Sequence, residues 1–359
     1  RSKTSKHKRV ISFLRSVLPK QAQITLAMSL SFSAPAVTSA AAPEFALSWP
    51  TPNPAFSKGN NLTEFLQRTG PDNPITSGAY GCVRNNGYKF HEGLDLYPIK
   101  RDGRGRAEDI VFAAMDGIVR HINHTSNHSS YGKYLVLEHP SAKPALYTLY
   151  GHLAEIKTGI ERGSLVRVAA PLGKMGNTSS GYRIPLHRSH LHFEMGLRLS
   201  GSFQDWYDQR SFKTPNHHGN FSGFNLVGFD PLLFYGRYKD KILATPLAFL
   251  QSLPVVAKIR VRSPSIPDFI KRYPSLSRPL KPKESPKAWD ASFAAHGVPV
   301  RIEPATGELP NGKSPYLVLS YDEAADASSR KCRRIITGAG KNIAPAEQLT
   351  AYLEILFKP

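Results

Sequence analysis

Short apolar runs separated by turn residues dominate the chain between residues 76 and 235. Five of them have the length and composition of strands, at 109–122, 133–139, 145–153, 164–176 and 191–199. Short runs at such regular spacing are typical of an all-β sandwich or barrel-like domain. After the last of these strands, the pattern predicts a long loop over 200–226 and a closing turn over 228–235. We therefore predict a mainly β fold for residues 76–235.

The pattern changes towards the C-terminus. Residues 236–286 include the Pro- and Lys-rich stretch "SPSIPDFIKRYPSLSRPLKPKESP", which predicts a linker or surface loops. Apolar runs return at 298–304, 316–322 and 333–338. We expect residues 287–359 to form a smaller accessory β module.

The N-terminus has the organisation of an export signal. The first twenty residues carry seven basic side chains and no acidic one, and the apolar run "AQITLAMSLSFSAPAV" and the small residues of "TSAAAP" follow. This order predicts a secretory signal peptide over 1–40, with a disordered basic tail as the alternative. The apolar run is shorter than the roughly 20 residues that span a bilayer, so we expect no stable membrane span in the mature protein. Residues 41–75 are a Pro-punctuated lead-in segment.

Composition and charge limit the kinds of molecule that we expect this protein to bind. The 359 residues are 40% hydrophobic and 10% aromatic, which is ordinary for a globular protein with a core. Removing the seven basic residues of the first twenty from the net charge of +20 leaves +13. A basic surface attracts polyanions such as nucleic acid, acidic lipid or an acidic wall polymer. No nucleic-acid motif is present, and export to the periplasm, cell envelope or exterior argues against a nucleic-acid partner. The sequence leaves the oligomeric state open.

The two cysteines, Cys82 and Cys332, exclude a disulfide framework and a cysteine-based zinc site. They could pair in an oxidising compartment or remain two free thiols.

Two histidines lie two residues apart in the strand-like stretch "SHLHFEM", at His190 and His192. Successive strand side chains point to opposite faces, so the two imidazoles share one face while Leu191, Phe193 and Met195 share the other. The apolar face is suited to the core. The imidazole face is either the wet outer side of a half-exposed strand or a site.

Three further polar residues give the histidine pair a chemical context. His91 and Asp95 are separated by four in "KFHEGLDLYP", and His152 ends an apolar run in "LYGHLAEI". Singly, each is read as a surface, turn or loop residue. Together they meet the needs of a hydrolytic zinc site, which takes three nitrogen or oxygen ligands and keeps one position open for water. His91, Asp95 and one histidine of the pair would be ligands, and the other histidine and His152 would act on the water or the tetrahedral intermediate.

The ordered motifs "HEGLD", "YGHL", "GNT" and "HLHFEM" resemble those of the lysostaphin/LytM-type zinc metallopeptidases. The resemblance covers residues 76–235. It implies a compact antiparallel β-sheet groove, one Zn²⁺ held by His91, Asp95 and His192, and a catalytic pair of His152 and His190. It also implies hydrolysis of peptide cross-links or stem peptides in bacterial peptidoglycan.

Other positions are less constrained by the resemblance. Arg84 and Tyr88 precede the first zinc histidine and are tentative substrate-binding residues. The insertion "YRIPLHR" at 182–188 departs from the family, where a short turn leads to His-x-His, and it leaves the shape of one cleft wall open. The histidine-rich stretches 121–131 and 216–219 are interpreted as loops, although the second could rim the groove.

Three functions fit these features. The first is a wall-hydrolysing zinc endopeptidase. The second is a non-catalytic relative that binds wall or activates another hydrolase, and the third is a secreted peptidase acting on glycine-rich protein. Retention of all five histidine and aspartate positions favours the enzyme over the non-catalytic relative.

Overall fold

The computed structural model describes residues 45–307, 314–327, 329 and 331–357. The predicted signal peptide at 1–40 lies outside the described residues, as do positions 41–44 of the lead-in segment. Among the helices of the described ranges, none combines the length and the apolar character that crossing a bilayer requires.

The described residues form strands of two to eight residues and six short α-helices. The strands are β1 Gly81–Arg84, β2 Lys89–His91, β3 Leu94–Leu96, β4 Ile110–Phe112, β5 Gly117–Asn123, β6 Tyr134–His139, β7 Leu146–Gly151, β8 Glu155–Ile156, β9 Leu165–Val166, β10 Pro171–Lys174, β11 Leu191–Arg198, β12 Leu226–Gly228, β13 Ala257–Arg262, β14 Ala288–Phe293, β15 Pro299–Pro304, β16 Tyr316–Tyr321, β17 Ile336–Thr337 and β18 Ala344–Pro345. The helices are α1 Ala55–Lys58, α2 Phe203–Asp208, α3 Pro231–Lys239, α4 Pro246–Gln251, α5 Asp268–Arg272 and α6 Glu347–Phe357.

The largest sheet has seven strands in the order β12-β11-β7-β6-β5-β9, with β3 also paired to β11. Its neighbouring strands pair antiparallel. Smaller antiparallel sheets are β4-β10-β8 and the hairpin β1-β2. The mainly β, antiparallel fold class is thus confirmed.

Strand β11 separates the core from the polar residues singled out by sequence. Leu191, Phe193 and Met195 are fully buried in the core. His190 and His192 share the opposite face and are only 5% and 4% exposed. A wet outer strand face is therefore excluded, since both sides of this strand are covered.

The C-terminal sheet differs from the prediction, because its four strands run β15-β14-β13-β16. Strand β13 lies inside 236–286, the range predicted as linker, and it pairs with both β14 and β16. Ala257, Ile259 and Val261 are buried while alternate residues of β13 face outward, a strand pattern that the Pro- and Lys-rich surroundings obscured. Helices α4 and α5 also lie in that range. The predicted linker is therefore part of the folded structure.

Other elements also differ in type or length from those that the sequence predicts. The predicted loop 200–226 contains helix α2. The predicted closing turn at 228–235 becomes α3, because the Asp230 side chain accepts a hydrogen bond from the Leu232 N–H and Pro231 stands at the first helical position. The strand predicted over 333–338 shortens to Ile336–Thr337.

A disulfide joins Cys82, in β1, to Cys332, 250 residues later. It links the β1-β2 hairpin, which ends at His91, to the chain that leads into β17. The structure thereby selects the paired state that the sequence left open.

Candidate metal centre

Three strands bring the predicted ligands together. His91 ends β2, Asp95 lies in β3 and His192 lies in β11, directly opposite Asp95 in the antiparallel register. Gly93 makes this approach possible, because a Cβ at that position would lie 2.1 Å from the Phe193 carbonyl oxygen. The close approach of the two strands therefore requires a glycine at this position of "HEGLD".

The three side chains converge on one point. His91 Nε2, Asp95 Oδ1 and His192 Nδ1 are each 3.1 Å from the other two. Zinc–ligand distances of about 2.0–2.2 Å in a tetrahedral arrangement require about 3.4 Å between ligand atoms, so the observed spacing is close to that of a zinc site. Among the described residues, these three form the one group of histidine and carboxylate side chains arranged to hold a metal ion.

Each ligand is held by a second group. His91 Nδ1 donates to the Ala79 carbonyl oxygen at 2.7 Å, which leaves Nε2 unprotonated towards the other ligands. His192 Nε2 lies 2.9 Å from Glu194 Oε1, so its Nδ1 is the atom that faces Asp95. Such outer partners set the tautomer and orientation of metal-binding histidines.

The remaining two histidines border the same point. His152 follows β7 with a φ of +59°, in the left-handed region that L-residues seldom adopt, and its Nδ1 donates to the Thr178 carbonyl oxygen at 2.8 Å. His190 Nδ1 donates to the Arg188 carbonyl oxygen at 2.7 Å. The centroids of the two rings are 4.9 Å apart. Because Nδ1 of each ring bonds to a backbone carbonyl oxygen, Nε2 is the nitrogen that can interact with other partners.

The "GNT" segment explains how His152 is placed. A Cβ at Gly176 would lie 2.3 Å from the Ala154 backbone nitrogen, so only glycine fits beside the chain that follows His152. The Thr178 hydroxyl donates to the Leu153 carbonyl oxygen at 2.9 Å and accepts from the Lys133 N–H at 2.8 Å. These bonds fix the carbonyl group that orients the His152 ring.

The electrostatics of the cluster favour positive charge at its centre. Burial opposes ionisation of Asp95, but the charges of His91, His190 and Arg84 hold its pKa well below the usual range. Burial likewise opposes charge on His192, yet hydrogen bonds to Asp95 and Glu194 raise its pKa to about 9. An ionised carboxylate surrounded by imidazoles meets the electrostatic requirement of a cation site.

The pKa values of His91 and His152 shift in the opposite direction from that of His192. Burial lowers the pKa of His91, and burial together with the neighbouring His190 and His192 lowers that of His152 well below its usual value. Neutral imidazole is the form that binds metal or accepts a proton.

A groove of about 520 Å³ opens over this cluster. One wall is formed by the insertion that the sequence analysis identified, through Tyr182, Arg183, Ile184, Pro185 and Arg188. Ser130 and Tyr131 of the β5-β6 hairpin, and Thr69 and Asn73 of the lead-in segment, also line it. The insertion therefore shapes the cleft directly.

The structure treats the two tentative substrate residues differently. Arg84 lines the groove, and its guanidinium donates to Asp95 Oδ2 at 2.5 Å. Tyr88 does not line it: the side chain is 70% exposed and its ring lies 6.0 Å from the Lys331 ammonium. Residues 85–87 have positive φ angles, and this turn carries Tyr88 away from the cluster.

The family assignment agrees with this geometry. The model of Peptidase family M23 matches residues 89–205, a range that contains His91, Asp95, His152, His190 and His192. Residues 89–205 belong to peptidase family M23. The M23 domain match ends before the C-terminal sheet, and no curated protein matches the chain.

Several solved structures are similar to parts of the chain. The catalytic domain of the antimicrobial peptidase lysostaphin from Staphylococcus simulans is 19% identical, with 49% of this chain and 95% of that chain covered and a TM-score of 0.28. A mutant catalytic domain of the prophage-encoded M23 protein EnpA from Enterococcus faecalis is 19% identical, with 42% and 86% covered and a TM-score of 0.27. A zinc-containing peptidase from Vibrio cholerae is 27% identical, with 36% and 33% covered and a TM-score of 0.24. The chain spans 33% of the Vibrio chain and 48% of a further match from Ruminococcus gnavus.

Sequence reasoning missed two groups of the M23 domain that hold the site. Glu194 is two residues beyond His192 and shares its strand face, so the strand period contained a signal for it. Thr178 acts through its backbone carbonyl, and residue type gives no signal for such a role.

Four other histidines lie apart from the metal group. His128 and His217, from the two loops that the sequence predicted, stack with ring centroids 4.0 Å apart. His139 bonds to the Asp116 carbonyl oxygen and the Thr148 hydroxyl. His187 is exposed on the insertion.

Proposed function

We propose that this protein is a zinc-dependent endopeptidase that hydrolyses peptide bonds of bacterial peptidoglycan. The observation that carries the proposal is the convergence of His91 Nε2, Asp95 Oδ1 and His192 Nδ1, with two further imidazoles at the same point. The peptidase family of residues 89–205 supports the reaction class.

His91, Asp95 and His192 would hold one Zn²⁺. When bound, zinc lowers the pKa of a water molecule to about 7 and polarises the carbonyl group of the substrate. Two imidazoles, which bind zinc in their neutral form, and one carboxylate are a ligand set typical of hydrolytic zinc sites.

His152 is suited to accept the proton of the attacking water. Its Nδ1 proton is committed to the Thr178 carbonyl oxygen, and among the described residues its Nε2 has no hydrogen-bond partner. A positioned imidazole with a free nitrogen at the site is the usual general base.

His190 is suited to donate a hydrogen bond to the oxyanion. Its Nδ1 donates to the Arg188 carbonyl oxygen, and its Nε2 lies 3.4 Å from Asp95 Oδ1, so Nε2 is the ring nitrogen that points towards the ligand group. A donor held in place before the reaction stabilises the charge that develops in the transition state.

Peptidoglycan as substrate follows from the family resemblance and from charge. The chain carries a net charge of +20, and the groove is lined by Arg84, Lys89, Arg183 and Arg188. A cationic protein exported to the envelope would be attracted to an anionic wall polymer. The presence of all three ligands and both further histidines favours catalysis over a wall-binding scaffold.

Digestion of purified sacculi tests this function. Zinc-loaded protein should solubilise sacculi, a chelator should abolish the activity, and added Zn²⁺ should restore it. Mass spectrometry of the released fragments identifies the bond that is cut. A glycine-rich protein serves as the comparison substrate: its cleavage with intact sacculi would favour the secreted-peptidase alternative, and wall binding without zinc or hydrolysis would favour the scaffold.

A further inference from the structure

Two guanidinium groups lie beside the candidate metal ligands, and only one of them is neutralised. Arg84 donates to Asp95 Oδ2 at 2.5 Å. Arg188, in the insertion, also interacts electrostatically with Asp95 and Arg84, but it forms no ion pair with any of the described residues. The groove therefore contains a cation without a counter-charge.

The Arg188 side chain is half-buried at the edge of the groove. Its one hydrogen bond is from a terminal nitrogen to the Arg68 carbonyl oxygen at 3.4 Å, and its Nε is buried without a partner. Its backbone carbonyl accepts the hydrogen bond that orients His190. The same residue thus lines the groove and borders the proposed oxyanion donor.

The Arg188 guanidinium is half-buried, and its buried Nε–H, which has no partner, carries a desolvation cost that an anion would relieve. Carboxylates match the arginine fork in shape and accept two parallel hydrogen bonds. No carboxylate of the described residues fills this role for Arg188, although Glu92 also lines the groove.

We propose that Arg188 binds a carboxylate of the substrate peptide close to the scissile bond. The inference rests on the proposed function and adds a selectivity to it: acidic wall peptides are preferred over neutral, glycine-only segments. Arg188 is a specificity residue placed in the groove wall by the 182–188 insertion.

The carboxylate has two possible sources in a wall peptide. It is either the α-carboxylate of a chain end or a side-chain carboxylate. Both offer the same ligand to Arg188, so selective amidation of one or the other distinguishes them.

Binding measurements test the inference without requiring turnover. The probes are soluble wall peptides prepared from sacculi, as free acids and after amidation, and synthetic peptides amidated at the C-terminus alone or at the side chain alone. Titration calorimetry would use zinc-loaded protein in the His152→Ala background, so that the probe is not consumed.

The free acid should bind roughly 10- to 100-fold more tightly than the amide, as expected for a charged hydrogen bond. Arg188→Gln should reduce this ratio to about 1, and Arg188→Lys should give an intermediate value because lysine lacks the fork. Arg104→Gln, which removes an exposed charge in the loop that contacts the insertion at His187, should leave the ratio unchanged.

Equal binding of acid and amide, no binding of either, or an unchanged ratio in Arg188→Gln would each overturn the inference. An equal loss in Arg104→Gln would also do so, since it would indicate a general field and not a built site. Selective binding without digestion of sacculi would instead contradict the proposed function alone. Zinc content of each variant shows that the metal group is intact.

Discussion

His91→Ala is expected to lose both bound zinc and wall hydrolysis. The substitution removes one of three ligand atoms that are mutually 3.1 Å apart, and the two that remain cannot complete the set. We expect zinc affinity to fall by more than roughly 100-fold, since loss of an outer partner alone costs about 10- to 100-fold. Zinc content after dialysis, and release of soluble fragments from sacculi, measure the two effects.

Glu194→Gln is the matched control for this prediction. It keeps all three ligands and changes only the group that accepts from His192 Nε2, so its zinc affinity should fall by the smaller factor of about 10- to 100-fold. Thermal unfolding of both variants without metal checks that the fold persists. Full zinc content in His91→Ala would contradict the assignment of ligands.

His152→Ala is expected to abolish hydrolysis while zinc remains bound. Its ring is oriented by Thr178 and lies beside the ligands without belonging to their triangle. Loss of a positioned general base reduces kcat by about 10²- to 10⁴-fold. Zinc analysis and sacculus digestion on the same preparation separate the two roles.

The control for this second prediction is His187→Ala. His187 is an exposed histidine on the insertion, outside the groove-lining residues, and its replacement should leave both zinc content and hydrolysis unchanged. If His152→Ala instead retained wild-type activity, another group would have to accept the proton, and the role given to His152 would be wrong.

The sequence predicts the parts of the fold that rest on local pattern. The alternation around His190 and His192 identifies β11, because one face must be apolar and the other carries the imidazoles. Strand β13 escapes detection, since its alternating residues sit between stretches rich in proline and lysine and only its pairing with β14 and β16 establishes it.

The candidate site likewise contains groups that the sequence predicts and groups that it does not. Side chains with distinctive chemistry, such as His91 and Asp95, can be recognised from type and spacing. The carbonyl oxygens of Ala79, Thr178 and Arg188 cannot, because they act through backbone placed by the tertiary fold. The location of the Tyr88 side chain could not be predicted for a related reason: its direction depends on the backbone of the preceding turn.

X-ray absorption at the zinc edge is the most direct test of the central claim. We expect one zinc ion per chain, bound by two imidazoles and one carboxylate oxygen, with the signal lost in His91→Ala. A zinc ion coordinated by other groups, such as the exposed pair His128 and His217, with binding unaffected by His91→Ala, would contradict it.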